Sequence, residues 1–209
     1  FPIGLSVEGD NNQIINRGDI YALGRGASAV TITGADNSFV NYSDVGSLGE
    51  ESIGINIVTT VSFGPDGSSF PDTVATVENH GRVGGEAAAV RFGSVATQSH
   101  TLINHEGALI TSTGVGVLGG DGDETFHNYG LLYGEAALSL GGGNDTVYFY
   151  GGSLYEGALE GGDGYDEFFV AGGGSLTINL ADLSGFELHQ LMGPTLLTLT
   201  GQDAASDWF

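Results

Sequence analysis

Seven short segments of this chain repeat one alternation of polar and apolar positions: 12–16, 37–41, 75–79, 100–104, 124–128, 145–149 and 166–170. Their third positions are Ile14, Phe39, Val77, Leu102, Phe126, Val147 and Phe168, all large and apolar. Their second positions are Gln13, Ser38, Thr76, Thr101, Thr125, Thr146 and Glu167, all polar. Alternation with period two marks a strand with one buried face. A second apolar column precedes the first: Leu5, Val30, Val117, Leu138 and Leu159 each lie seven residues before the opening position of a segment. Ile55 and Val90 join this column if thirteen extra residues precede Ala75 and three precede His100. The stretch 63–71, with Gly64-Pro65-Asp66-Gly67 and Pro71, has the turn chemistry of a surface loop and accounts for the larger surplus.

The fifth position is asparagine in five segments: Asn16, Asn41, Asn79, Asn104 and Asn128. It shares parity with the buried third position, so it points inward or ends the strand. A buried amide needs partners, and copies stacked on neighbouring coils supply them. The last two segments carry Phe149 and Val170 instead, which turns the polar ladder into an apolar stack.

These columns predict an all-β fold, a single-stranded parallel β-helix or β-solenoid with coils of about 21–25 residues. At one strand spacing of ~4.8 Å per coil, seven or eight coils make a rod on the order of 35–40 Å long. Repeat coils are expected over 5–175. The apolar stretches 176–180, 186–188 and 196–199 are expected to be strands that complete or cap the last coils over 176–209. No domain boundary interrupts 1–209. The start Phe1-Pro2-Ile3-Gly4, without methionine or a basic leader, reads as that of a processed or excised chain.

Composition narrows the partners. Glycine is 38 of 209 residues against 4 prolines, which suits short strands joined by tight turns, and the glycines lack the every-third spacing of collagen. The 26 acidic residues face 4 arginines and no lysine, for a net charge of -22. That argues against nucleic acid and anionic membranes as partners, both of which need clustered cations. It suits cationic partners, or solubility in a salty medium. There is no cysteine, so no disulfide framework exists. No apolar run reaches ~18 residues, so no helical membrane insertion is expected.

The repeat resembles the passenger domains of bacterial autotransporters, above all the glycine-rich kind. The resemblance rests on the turns Asn16-Arg17-Gly18, Asn79-His80-Gly81 and Asn128-Tyr129-Gly130. It rests also on the run Leu140-Gly141-Gly142-Gly143-Asn144-Asp145-Thr146-Val147 and on the ending Leu183-Ser184-Gly185-Phe186-Glu187-Leu188 followed by Thr198-Leu199-Thr200-Gly201. It implies a right-handed parallel β-helix, secreted to the extracellular medium or the bacterial cell surface, that acts without enzymatic chemistry as a structural or adhesive module. The partners it implies are a host or surface protein or carbohydrate, or other copies of the chain.

Three successive coils carry a second resemblance, to the calcium-binding nonapeptide GGxGxDxUx of RTX proteins. Gly161-Gly162-Asp163-Gly164-Tyr165-Asp166-Glu167-Phe168 fits every fixed position. Gly119-Gly120-Asp121-Gly122-Asp123-Glu124-Thr125-Phe126 has Glu for Asp, and 140–147 keeps Gly141, Gly143 and Asp145 but not the first glycine. Glu124, Asp145 and Asp166 are spaced by 21 residues and should stack. Ca²⁺ takes six to eight oxygens, which glycine-turn carbonyls and stacked carboxylates can supply. The ligand set this implies is Gly120, Asp121, Asp123, Glu124, Gly141, Asn144, Asp145, Gly162, Asp163 and Asp166. Without a cation, like charges one strand apart repel.

Two other readings stay open. Many β-helices act on acidic polysaccharides, but a lyase needs a cation against the substrate carboxylate, and only Arg17, Arg25, Arg82 and Arg91 are available. A hydrolase could use paired carboxylates. A self-assembling surface fibre could join rods through exposed edge strands, with Trp208-Phe209 and Phe1-Pro2-Ile3 as apolar contacts. Arg17-Gly18-Asp19 spells an integrin-recognition tripeptide but falls in a repeat turn. His80, His100, His105, His127 and His189 are scattered, without the spacing of a metal-ligand set.

Overall fold

The computed structural model describes residues 2–58, 74–93 and 98–201. The chain winds into a parallel β-solenoid of about seven turns. Each turn carries three strands, one on each of three faces. The first face holds Ile3–Glu8, Ser28–Thr33, Ile53–Val58, Ala88–Arg91 and Val115–Leu118. The second is an eight-stranded sheet: Gln13–Asn16, Ser38–Asn41, Val74–Asn79, Ser99–Asn104, Asp123–Asn128, Thr146–Tyr150, Glu167–Ala171 and Leu188–Met192. The third holds Ile20–Leu23, Asp44–Leu48, Arg82–Gly85 and Leu109–Ser112. Two long strands, Leu131–Gly143 and Leu154–Gly164, bend from the third face into the first.

The register follows the apolar columns. Leu5, Val30, Ile55, Val90, Val117, Leu138 and Leu159 pair in turn on the first face. Ile14, Phe39, Val77, Leu102, Phe126, Val147 and Phe168 pair in turn on the second. From the second coil onward every one of these side chains is buried. Phe126, Phe149 and Phe168 also pack on one another edge-on or tilted. Residues 59–73, which contain the loop expected at 63–71, lie outside the described residues, as do 94–97 before His100.

The third strand of each coil is not evident from alternation. It is short, its outward positions include Gly46 and Gly84, and beyond Ala22 of the first coil it turns one large apolar side chain per coil inward. Those side chains are Val45, Val83, Ile110 and Leu132, which stack in register. A constant offset betrays them in retrospect: Ile20, Val45, Val83 and Leu132 each lie four residues after a ladder asparagine. The tail continues the winding. Leu188–Met192 pairs with Glu167–Ala171, Leu183–Ser184 pairs with Leu154–Gly164, and Gly174–Asn179 pairs with Thr195–Thr200. Trp208 and Phe209 lie outside the described residues.

The asparagines sit at the corner between the second and third faces. Each Nδ2 donates to the Oδ1 of the next coil: Asn16 to Asn41 at 2.9 Å, Asn41 to Asn79 at 3.0 Å, Asn79 to Asn104 at 3.0 Å and Asn104 to Asn128 at 2.9 Å. The Oδ1 atoms also accept the backbone N–H two residues on, from Gly18, Ser43, Gly81 and Gly130. One side chain therefore closes the local turn and joins it to the next coil. The ladder stops where Phe149 replaces asparagine, and the Nδ2 of Asn128 is left without a partner.

Asn104→Leu removes three hydrogen bonds of the ladder: Asn79 Nδ2 to Asn104 Oδ1, and Asn104 Nδ2 to Asn128 Oδ1 and to the Leu131 carbonyl. Each is worth about 0.5–1.5 kcal/mol net. Urea denaturation should therefore show a loss of roughly 2–4 kcal/mol. A loss below about 0.5 kcal/mol, the range of ordinary surface substitutions, would remove the ladder from the stability account.

Candidate functional site

Glu124, Asp145 and Asp166 open three successive strands of the second sheet, and all three are buried, at 2%, 0% and 0% exposure. They do stack. Each accepts, or hands on, a bond between backbone and carboxylate: Glu124 N–H donates to Asp145 Oδ1 at 2.6 Å, Asp145 N–H to Asp166 Oδ1 at 2.8 Å, and Asp166 N–H to Glu187 Oε2 at 2.7 Å. Glu187 is thus a fourth member, which its spacing of 21 residues from Asp166 could have revealed.

The same column does the same work in earlier coils with other residue types. Asn37 Oδ1 accepts Asn12 N–H at 2.8 Å, and His100 Nδ1 accepts Ala75 N–H at 3.2 Å. The common requirement is an acceptor for a corner N–H. Asparagine, histidine, glutamate and aspartate all meet it. Glu124 departs from this, since its Oε2 accepts Gly120 N–H of its own coil at 3.3 Å; Glu124 Oε1, Asp145 Oδ2 and Asp166 Oδ2 are left buried without partners.

The other residues of the expected calcium turns divide by exposure. Asp121, Asp123, Asn144 and Asp163 are exposed. Asp123 Oδ1 accepts Asn144 N–H at 2.7 Å, and Asn144 Oδ1 accepts Tyr165 N–H at 3.0 Å, so an outer relay runs beside the inner one. Gly141 and Gly162 sit at φ 98° and 117°, and a Cβ on either would collide with the carbonyl of the glycine one coil below, Gly120 or Gly141. Stacking and backbone conformation thus both require these glycines. Of the 10 expected ligands, the structure sets the carboxylates in three separate columns: Asp121 and Asp163 either side of Gly142, Asp123 below Asn144, and Glu124, Asp145 and Asp166 inside. Among the described residues, none of these carboxylates belongs to a group of three His, Asp or Glu with donor atoms within 4.8 Å of one another.

Burial governs the protonation of the inner column. It pushes the Glu124 carboxyl up to about 9, with the neighbouring Asp145 charge adding to the effect. It pushes Asp145 up to about 7 against the opposing hydrogen bond from Glu124 N–H, and it raises Asp166. At neutral pH Glu124 is protonated, which relieves the repulsion expected of stacked carboxylates.

The outer surface of the second sheet and its following corner carry aromatic rings. Tyr42 stacks on His80 at 4.6 Å between centroids, His80 on His105 at 3.7 Å, and Tyr129 on Tyr150 at 3.7 Å, with Arg17 capping Tyr42 at 4.8 Å. A shorter column joins His127, Tyr148 and Phe169 at 4.7 and 5.0 Å. Ring faces in these columns cover one another, so the solvent meets ring edges. A sugar stacks on an open face, which these ladders do not offer along their length. The integrin-like tripeptide is similarly engaged: besides Arg17 on Tyr42, Asp19 Oδ1 accepts the Ser43 hydroxyl at 2.6 Å. Arg25 pairs with Glu51 at 2.6 Å and Arg91 Nε donates to Asn56 at 3.0 Å, so the arginines are dispersed over the rod.

On the third face an open groove of about 480 Å³ runs from Tyr21 across Gly46 and Gly84 to Thr111. Tyr21 leans onto the next coil, its hydroxyl on Asp44 at 3.2 Å and its ring where a Cβ of Gly46 would be. Glu50, Glu86 and Thr113 form its rim.

Comparison with protein-family models, with curated proteins and with solved structures finds no match. The geometry of the acid column makes its own prediction. The unfolded chain titrates Glu124 and Asp145 near 4.5 and 3.8, while the fold holds their protons up to about 9 and 7. The folded state binds more protons across that window, so stability is full below it and falls as pH rises through it. Burial holds His100 down at about 4, which works the other way in acid, so thermal unfolding followed between about pH 7 and pH 9 should show a falling Tm. The Glu124→Gln, Asp145→Asn double variant should lose most of that slope. Parallel falls in the two proteins would contradict the assignment.

Proposed function

We propose that this chain is a non-enzymatic extracellular module, structural or adhesive, of the kind its resemblance to glycine-rich autotransporter passengers implies. The observation that supports this most is how the reactive side chains are used. Glu124, Asp145 and Asp166 face inward and accept backbone N–H groups, from Gly120, Glu124 and Asp145 respectively, and the ladder asparagines join coil to coil. The chemistry that stood out in the sequence is spent on architecture. What remains outside is a long, acidic, regular surface suited to contact rather than turnover. A partner on a host or bacterial surface, protein or carbohydrate, meets that surface, and the groove between Tyr21 and Thr111 is its most concave part.

Calcium belongs to the same reading. The exposed Asp121, Asp123, Asn144 and Asp163, with the carbonyls of the glycine turns, supply the hard oxygens the ion takes. Binding that also recruits the inner carboxylates must displace their protons, so calcium stabilisation would grow with pH.

Beads coated with the chain should adhere to cells or to one another in millimolar calcium and adhere less in chelator. The same preparation should release neither reducing ends nor unsaturated uronates from acidic and neutral polysaccharides. Catalytic release of either product, lost on heat denaturation, would overturn the non-enzymatic reading.

A further inference from the structure

Two outward columns of the second sheet break their own composition at the same place. The column that follows the asparagine ladder reads Arg17, Tyr42, His80, His105, Tyr129 and Tyr150, so two imidazoles interrupt a run of tyrosines. The column two residues earlier reads Ile15, Val40, Glu78, Ile103, His127, Tyr148, Phe169 and Gln190. Its sole acidic member is Glu78, which is two residues before His80 and beside His105 of the next coil. Neither break is needed for packing. A tyrosine pair would continue the first stack, as Tyr129 and Tyr150 do, and an aliphatic residue would continue the second.

The two breaks converge in space. His105 Nε2 lies 3.1 Å from Glu78 Oε2, and His80 Nε2 lies 3.7 Å from the same oxygen. One donor atom from each of the three residues falls within 4.8 Å of the others. All three side chains are about one-third exposed, so an ion can reach them and water can complete its shell. Lysine is absent from the chain, and Arg17 lies beyond Tyr42, so no ammonium competes for Glu78.

We propose that Glu78, His80 and His105 form a binding site for a divalent transition-metal ion, Zn²⁺ in the first instance, that staples two adjacent coils. Two imidazole nitrogens and one carboxylate oxygen are a donor set for zinc, with one position left for water. They are a poor set for calcium, which takes oxygens alone. The site is therefore chemically separate from the acidic turns and does not depend on the reading given for them.

Metal binding has a structural requirement here. The two imidazoles lie face to face, 3.7 Å apart and 11° from parallel. Ring nitrogens donate in the plane of the ring, so parallel rings do not aim at one point. The rings must swing out of the stack for both Nε2 atoms to meet one ion. The contacts displaced are stacking contacts, of His80 on Tyr42 and on His105, which are weak beside metal–ligand bonds.

The test uses replacements that keep the stack and remove the nitrogens. His80→Phe and His105→Phe retain a flat ring at each position, so the rod should fold with nearly unchanged Tm in metal-free buffer. Calorimetric titration of ZnCl₂ into the wild-type chain should give one ion bound per chain, with a raised Tm. The His80 and His105 ring protons should lose their stacking shifts by NMR on binding. The His80→Phe, His105→Phe double variant should bind at least tenfold more weakly, as should Glu78→Gln. Replacing His127, on the neighbouring column, should leave the affinity unchanged. Absence of zinc binding to the wild type at about 0.1 mM, a concentration that fills even a modest protein site, would overturn the proposal. So would equal affinity in the double variant, or binding with the imidazole stack intact.

Discussion

A solenoid must turn its backbone at each corner, and each corner breaks the ladder of strand hydrogen bonds. Groups at a corner are buried by the coils above and below, so water cannot serve them. This protein resolves the problem with side chains from the next coil. At one corner asparagine Oδ1 atoms take the N–H of Gly18, Ser43, Gly81 and Gly130 while their amides link coil to coil. At the other, Asn37, His100, Asp145, Asp166 and Glu187 take the N–H of the residue one coil below. The apolar columns supply the driving force for winding. The polar columns fix the register, because a slip would orphan a whole row of buried groups at once.

Seen this way, the acidic residues fall into two populations. Most lie outside, where they keep a chain of net charge -22 dispersed. A few lie inside as backbone acceptors, where burial favours their protonated forms. The change from histidine to carboxylates along one column reverses its response to pH: His100, held down to about 4 by burial, loses stability in acid, whereas Glu124 and Asp145 lose it as pH rises. The outer aromatic ladders have a similar logic. They continue the coil-to-coil contact on the surface through ring stacking, with Glu78, His80 and His105 as the point where that pattern gives way to a different chemistry.

Much of this was legible in the sequence. The apolar columns through Val30 and Phe39, the insertions before Ala75 and His100, and the inward asparagines all followed from period-two alternation and a constant offset. The third face did not, because a strand such as Arg82–Gly85 carries one inward apolar residue and two glycines. The role of the acid column was also hidden. Parity with the buried Val147 and Phe168 does point Asp145 and Asp166 inward, but a motif of glycines and aspartates reads as an exposed ion-binding turn, and the alternation does not say that each carboxylate meets a backbone N–H of the neighbouring coil. The cluster at Glu78 was hidden because Glu78 and His80 alone are an ordinary pair, and only the coil register brings His105 beside them from 25 or more positions away.

The account stands on the asparagine amides being bonded inside the rod rather than hydrated. Hydrogen exchange of the side-chain Nδ2 protons, read by NMR on the native chain, measures this directly. Asn41, Asn79 and Asn104 should exchange as slowly as the backbone amides of the flanking strands, and Asn128, at the end of the ladder, faster than they do. Exchange of all four at the rate of a surface asparagine would contradict the account.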